Sequence, residues 1–336
     1  MISLQDLATK LALNKSTVSR ALRDDPLIAK ETRERVLAMA KEMGYLRDPL
    51  VSTLAAHGWR RSREKGAHLN LAYLLSAQPP SKGRGSERFR GALERASELG
   101  YSCEPLNLAD YPDVGRLAEV LYARGIRGIL CGFSSSERLL QAPDFPWARF
   151  SIVGCGVNRS RLPIHSVSIN GVASTELAVK RLREKGFRRI GLAHLHFGGL
   201  SEMDHQKAGA FLLMQRNWPR SERVPMWSGR IEERDRLVKW ADRTKPDIIL
   251  ATVDAVYWML AEKEQANRAT CPFASLYTRE ESDPGLMGIA AGGSRIGRVA
   301  VDLLDAEIQR HERGFPKEPL RVMVEPEWLE ASRDPD

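Results

Sequence analysis

The stretch SLQDLATKLALNKSTVSRAL, residues 3–22, holds two short apolar-periodic segments either side of a tight connection. Leu4, Leu7, Ala8 and Leu11 fall at i, i+3, i+4 and i+7, the spacing of one buried helical stripe. Val18, Ala21 and Leu22 do the same on the second segment. Ser3 can cap the first helix, with Asp6 three residues on, and Asn14 can cap the second. The second helix then opens with Lys15, Ser16 and Thr17 and carries Ser19 and Arg20 one turn later. A short helix that buries one side and offers such groups on the other suits the DNA major groove. Arg20 can make the bidentate contact to guanine, while Thr17 and Ser19 suit phosphate oxygens.

Working outward, residues 30–43 read as a third helix, with Arg33, Val36, Leu37 and Ala40 at helical spacing and Gly44 as its stop. Asp48-Pro49 breaks the chain. Residues 50–57, LVSTLAAH, form a candidate short helix, and the following GWRRSREKG has the composition of a basic linker. From Leu69 the pattern changes to short apolar runs alternating with amphipathic helices. Strands are expected at 69–75, 126–133, 150–154, 190–194 and 247–252. Helices are expected at 86–99, 171–185, 204–216 and 256–265. Such alternation implies parallel sheets covered by helices on both faces.

These residues resemble the LacI/GalR family of transcriptional regulators. The family's opening pattern is found in Ser3-Leu4, Asp6-Leu7-Ala8, Leu11-Ala12-Leu13-Asn14, Thr17-Val18-Ser19-Arg20 and Leu22. It continues in Ile28-Ala29, Thr32-Arg33, Arg35-Val36 and Met43-Gly44-Tyr45. Ala12 stands where the family has its turn glycine, and Ala29 where it has a capping serine. More loosely, the likeness extends over residues 69–330, through segments such as TELAVKRLREKGFRRIGLA and PDIILATVDAVYWML.

The resemblance implies an α/β chain of three parts. Residues 1–48 would be a helical helix-turn-helix headpiece. Residues 49–68 would be a hinge helix and linker. Residues 69–330 would be a two-lobed, periplasmic-binding-protein-like core of two Rossmann-like parallel sheets. Lobe one would take 69–166 plus 288–316, and lobe two 169–286 plus 319–330. The chain would cross between them near 166–170, 285–290 and 315–320. Leu54 matches the hinge leucine that wedges into the minor groove in this family, a sound way to kink DNA. No leucine heptad follows the last expected strand, so the tetramer-forming tail of some members is not expected.

The resemblance also places an effector between the lobes. Trp227 aligns with an aromatic that stacks on sugar rings, although a tryptophan there can equally be core. Gln206 aligns with the family's sugar-binding arginine, Asp254 with half of its Asn-Asp pair, and Tyr277 with a late aspartate. A neutral glutamine in place of a charge points to a neutral ligand, such as a pentose, a modified sugar or an oligosaccharide. The function implied is a homodimeric, sequence-specific regulator, most often a repressor, reading a pseudo-palindromic operator. The alternative is a sugar-sensing module without DNA function.

Composition sets the bounds. The 336 residues allow two or three domains, and residues 1–66 hold 13 Lys/Arg against 8 Asp/Glu, most of the chain's net +8. The positive charge thus gathers at the expected DNA-reading end. No run has the apolar length of a membrane span, and Asp6 and Lys10 interrupt any signal-peptide core, so the cytoplasm is expected. Cys103, Cys131, Cys155 and Cys271 lie far apart without metal spacing and read as reduced thiols. His194, His196 and His205 lack completing ligands, Gly292-Gly293-Ser294 lacks a P-loop ending, and Ser134-Ser135-Ser136 has no nucleophile frame. No catalytic set, metal or cofactor is expected.

Overall fold

The computed structural model describes residues 4–22, 27–43, 69–75, 87–111, 113–132, 145–156, 162–196, 201–264, 271–279 and 286–331. The expected cap Ser3, the segment 50–57 and Leu54 lie outside the described residues.

Three helices form the N-terminal unit: α1 (Leu4–Leu11), α2 (Lys15–Ala21) and α3 (Lys30–Glu42). They close on Leu7, Ala8, Leu11, Val18, Ala21, Val36 and Ala40. The α1–α2 connection turns at Ala12, whose φ is +53°. Ala12 N–H donates to Thr9 O and Leu13 N–H to Ala8 O, the paired closure that normally carries glycine at the left-handed position. Alanine pays for that conformation with steric strain at Cβ. Two expectations need correction. Asn14 takes the N-cap position of α2 with extended backbone, yet its side chain makes no cap hydrogen bond. Leu37 is 48% exposed, because α3 turns Val36 and Ala40 inward instead.

The core holds two six-stranded sheets. The first uses β1 (Leu69–Leu75), β2 (Tyr101–Asn107), β3 (Gly128–Cys131), β4 (Ser151–Cys155), β5 (His165–Ile169) and β11 (Arg321–Val324). The second uses β6 (Ile190–Leu195), β7 (Trp227–Gly229), β8 (Ile248–Ala251), β9 (Phe273–Thr278), β10 (Met287–Ala290) and β12 (Trp328–Leu329). Their orders are β2-β1-β3-β4-β5-β11 and β7-β6-β8-β9-β10-β12. The same winding thus occurs twice. Every pairing is parallel except β10 with β12.

Among the helices are α4 (Glu87–Glu98), α5 (Val114–Ala123), α6 (Gly171–Glu184), α7 (Glu202–Arg216), α8 (Arg234–Thr244), α9 (Ala255–Glu264) and α10 (Gly293–Arg310). Asp113 caps α5 and Asn170 caps α6. A reciprocal cap between Ser201 and Asp204 starts α7 at Glu202, two residues before the expected 204. Helices α4 and α10 pack backbone to backbone: a Cβ on Gly91 would stand 2.0 Å from Ser294 O.

The chain passes between the sheets after Ile169, after Ala290 and between Val324 and Trp328. The third passage therefore comes later than the expected 315–320. Strand β11 pairs with β5 from Arg321↔Ser166 to Val324↔Ile169, which holds residues 321–324 in the first lobe.

Candidate functional site

Helix α2 offers the first candidate surface. At 100° per residue, Ser16, Ser19 and Arg20 fall opposite Val18 and Ala21, with Lys15 and Thr17 at the borders. Val18 and Ala21 are fully buried. Lys15 and Ser16 are exposed, while Thr17, Ser19 and Arg20 are half-buried. The structure thus brings all five onto one short helix, with Arg33 and Arg35 nearby in sequence on α3.

The second candidate lies where the carboxyl ends of the two sheets face each other, the usual ligand position in wound α/β sheets. Tyr277 is the last residue but one of β9, and its hydroxyl accepts a 3.0 Å hydrogen bond from Arg88 Nη2 in the first turn of α4. This bond joins the lobes. Asp254, beyond β8, is 4% exposed and lies 3.1 Å from Arg279 Nε. A second bridge between the lobes pairs Arg321 of β11 with Glu202 of α7. Beside it Gly156, Ser166, Ser168, Met203, Gln206 and Met323 line a small cavity. Gln206 Oε1 accepts from Gly171 N–H at 3.0 Å, so this side chain is tied to the start of α6.

Trp227 is not part of that cavity's lining. It is 5% exposed and packs with Val224, Leu237, Trp240 and Met259 on one face of the second sheet. The core alternative for this tryptophan is the arrangement found, with one loose end: its Nε1 is buried and has no hydrogen-bond partner.

Several polar groups at this site escaped the sequence reading. Lys207 of α7 is 3% exposed, and its Nζ donates to Thr252 O and Leu276 O, each at 3.1 Å. Burial pulls its pKa down to about 8. The same ammonium lies 5.7 Å from the centroid of the Tyr277 ring. The signal was present in α7, where Met203, Lys207 and Phe211 recur at four-residue spacing, so a lysine sits in an apolar stripe. Asp204 Oδ1 lies 3.2 Å from His194 Nε2, though poorly aligned for a hydrogen bond. Burial works against its ionisation, but His194 and the Ser201 hydroxyl and N–H outweigh it and bring Asp204 down to about 2. Arg88 had no distinguishing signal, since Arg90 and Arg95 on the same helix look alike in sequence.

The site holds polar donors, acceptors and two cations around a tyrosine ring. Among the described residues no group of His, Cys, Asp and Glu could hold a metal ion. Burial raises the Cys103 and Cys131 thiols to about 12, which makes them poor nucleophiles. Among the described residues no helix is long and apolar enough to cross a membrane.

Residues 3–48 match the family model described as bacterial regulatory proteins, lacI family. The chain is 29% identical over 200 residues to an uncharacterized HTH-type transcriptional regulator in the aml 5′ region of Streptomyces limosus, covering 56% of this chain and 52% of that protein. It is 25% identical over 210 residues to the HTH-type transcriptional repressor MelR of Bacillus subtilis (strain 168), covering 61% and 56%. The aligned part thus takes in about half the length of these curated relatives. The fold matches that of the Lac repressor dimer bound to operator and the anti-inducer ONPF, with TM-score 0.54, 16% identity and coverage of 98% and 97%. Residues 3–48 thus carry a lacI-family regulatory domain, and the residues behind them have the two-lobed fold of the Lac repressor.

Proposed function

We propose that this protein is a homodimeric, ligand-controlled transcription repressor that works in the cytoplasm. The observation that carries this reading is the pairing, in one chain, of a three-helix unit whose α2 presents Lys15, Ser16, Thr17, Ser19 and Arg20 with a two-lobed core whose polar groups meet between the lobes. The α2 face would enter the major groove of each half of a pseudo-palindromic operator, with Arg20 reading a guanine and its neighbours holding phosphates. Leu54 would wedge the minor groove at the centre. A small molecule would bind between the lobes, near Gln206, Asp254 and Tyr277, with Trp227 shaping the wall behind. Such a molecule shifts DNA affinity only through different affinities for two arrangements of the lobes. No catalytic step is assigned to the chain.

The test is selection of duplex sequences from a random pool on the full-length protein, followed by gel shift. A two-fold symmetric motif bound at least a thousandfold more tightly than random duplex is expected. A chain that recovers no motif, and binds duplex without preference, would sink the reading.

A further inference from the structure

We propose that the end of the second lobe opposite the cleft is a second DNA-binding surface, which holds the phosphate backbone of a duplex without reading its sequence. This goes beyond the operator-reading role of α2 and does not depend on a ligand between the lobes.

Segments 181–189, 216–223 and 242–247 hold ten Lys/Arg against four Asp/Glu, a net +6 in a chain whose whole net charge is +8. They precede β6, β7 and β8, which run parallel, so all three lie at the amino end of the second sheet. Arg189 stitches them together. Its Nη1 donates to Ser221 O, its Nη2 to Thr244 O at 2.6 Å and its Nε to Lys245 O at 3.4 Å. Arg223 donates to Trp218 O at 2.9 Å and Arg216 O at 2.8 Å. Arg183 lies over the Trp218 ring, 4.6 Å from its centroid. The result is one continuous face with several guanidiniums pinned in place.

The acids there do little to screen it. Glu184 pairs with Arg181 and Glu222 with Arg183. Asp247 Oδ2 accepts from the backbone N–H groups of Arg188 and Arg189. From outside the three segments, Glu330 pairs with Lys185. Arg216, Arg220, Arg243 and Lys245 are exposed, and among the described residues no carboxylate forms an ion pair with them. Cations are favoured at helix carboxyl ends, and α6, α7 and α8 all end here. Each end supplies only about half a negative charge, so three of them fall well short of the excess.

The chemistry of the face selects its partner. Eight of the ten cations are arginines, whose planar fork matches a phosphate. The three segments expose no large apolar side chain, and their tryptophan, Trp218, is 8% exposed. Protein partners are held by aromatic and aliphatic anchors that become buried at the centre of the interface. A duplex needs only cations that displace its counterions.

The experiment measures anisotropy of a labelled random-sequence duplex on the full-length protein, alone and with saturating unlabelled operator from the selection above. The variants are Arg216→Glu/Arg220→Glu/Arg243→Glu and the neutral Arg216→Gln/Arg220→Gln/Arg243→Gln. Wild type saturated with operator is expected still to bind the random duplex. The charge-reversed variant should bind it at least tenfold more weakly, with a salt slope shallower by about 2–3, while operator affinity stays unchanged. The neutral variant should fall between, and it replaces the reversed one if that fails to fold. The proposal is overturned if operator abolishes binding of the random duplex to wild type, or if the folded variants bind it like wild type. Binding of poly-glutamate but not of duplex at this face would overturn it in favour of an acidic protein partner. Failure to select any operator would count against the proposed function alone, because the comparison of variants on random duplex still decides this proposal.

Discussion

Gly297 of α10 lies so close to Arg88 of α4 that a Cβ on the glycine would stand 2.0 Å from the Arg88 carbonyl oxygen. The helix that carries the cleft's cation is thereby seated on the helix that returns from the second lobe. Gly297→Ala should force the two apart and destabilise the protein by about 1–3 kcal/mol, as overpacking does. Gly209 of α7 has nothing within 4 Å of its added Cβ. There Gly209→Ala should stabilise by roughly 0.5–1 kcal/mol, the helical advantage of alanine. Urea unfolding of the two variants separates them; equal shifts would mean that the close approach of α4 and α10 is immaterial.

Glu307 supplies a pH dependence. Its carboxyl, 4% exposed, accepts from Ile152 N–H at 3.1 Å and stands 3.9 Å from His165 Nε2. Burial pushes its pKa from 4.5 up to about 8, while burial also lowers that of His165, so both favour their neutral forms. The folded state then keeps a proton that the unfolded chain releases. The resulting stabilisation is full below pH 4.5 and declines as pH rises toward about 8. The slope can approach about 1.4 kcal/mol per pH unit. Glu307→Gln should flatten it, so that the variant gains on the wild type between pH 6 and pH 8. Melting curves that stay parallel over that range would contradict the assignment.

The left-handed Ala12 predicts a gain in the headpiece. Ala12→Gly relieves the Cβ strain at φ +53° but gives the unfolded chain more freedom. The net stabilisation should be about 0.5–1 kcal/mol. Amide hydrogen exchange in α1 and α2 would slow accordingly. Faster exchange in the variant would show that the turn is not strained.

Arg20→Ala should weaken binding to the selected operator by about 1–3 kcal/mol while leaving much of the affinity for random duplex. A logarithmic plot of affinity against salt should have a slope steeper than about −5, as several phosphate contacts per headpiece require. Equal losses on both duplexes would leave Arg20 with a phosphate role only.

The headpiece was legible because its signals are local. Leu7, Ala8 and Leu11 share one face of α1 through helical spacing, as Val18 and Ala21 do on α2, and each helix is found where the periodicity puts it. The core strands were legible for a similar reason: a buried parallel strand such as Ile190–Leu195 is apolar at every position but His194. Trp227 shows the limit. An aromatic near a strand's end has the same local sequence whether it faces a ligand or a helix. Only the packing of Trp227 against Leu237 and Trp240 chooses between them.

By itself the sequence determined the helix-turn-helix, the alternation of strands and helices and the gathering of charge at the N-terminus. Each depends on contacts between near neighbours or on composition. The tertiary structure alone decided where the third passage lies, because the register of β11 on β5 joins residues more than 150 positions apart. It also decided the character of the cleft. Arg88 and Tyr277 are 189 residues apart and meet only when the lobes face each other. A charge's worth depends on what surrounds it, and no local pattern shows that Arg88 meets Tyr277 of the other lobe.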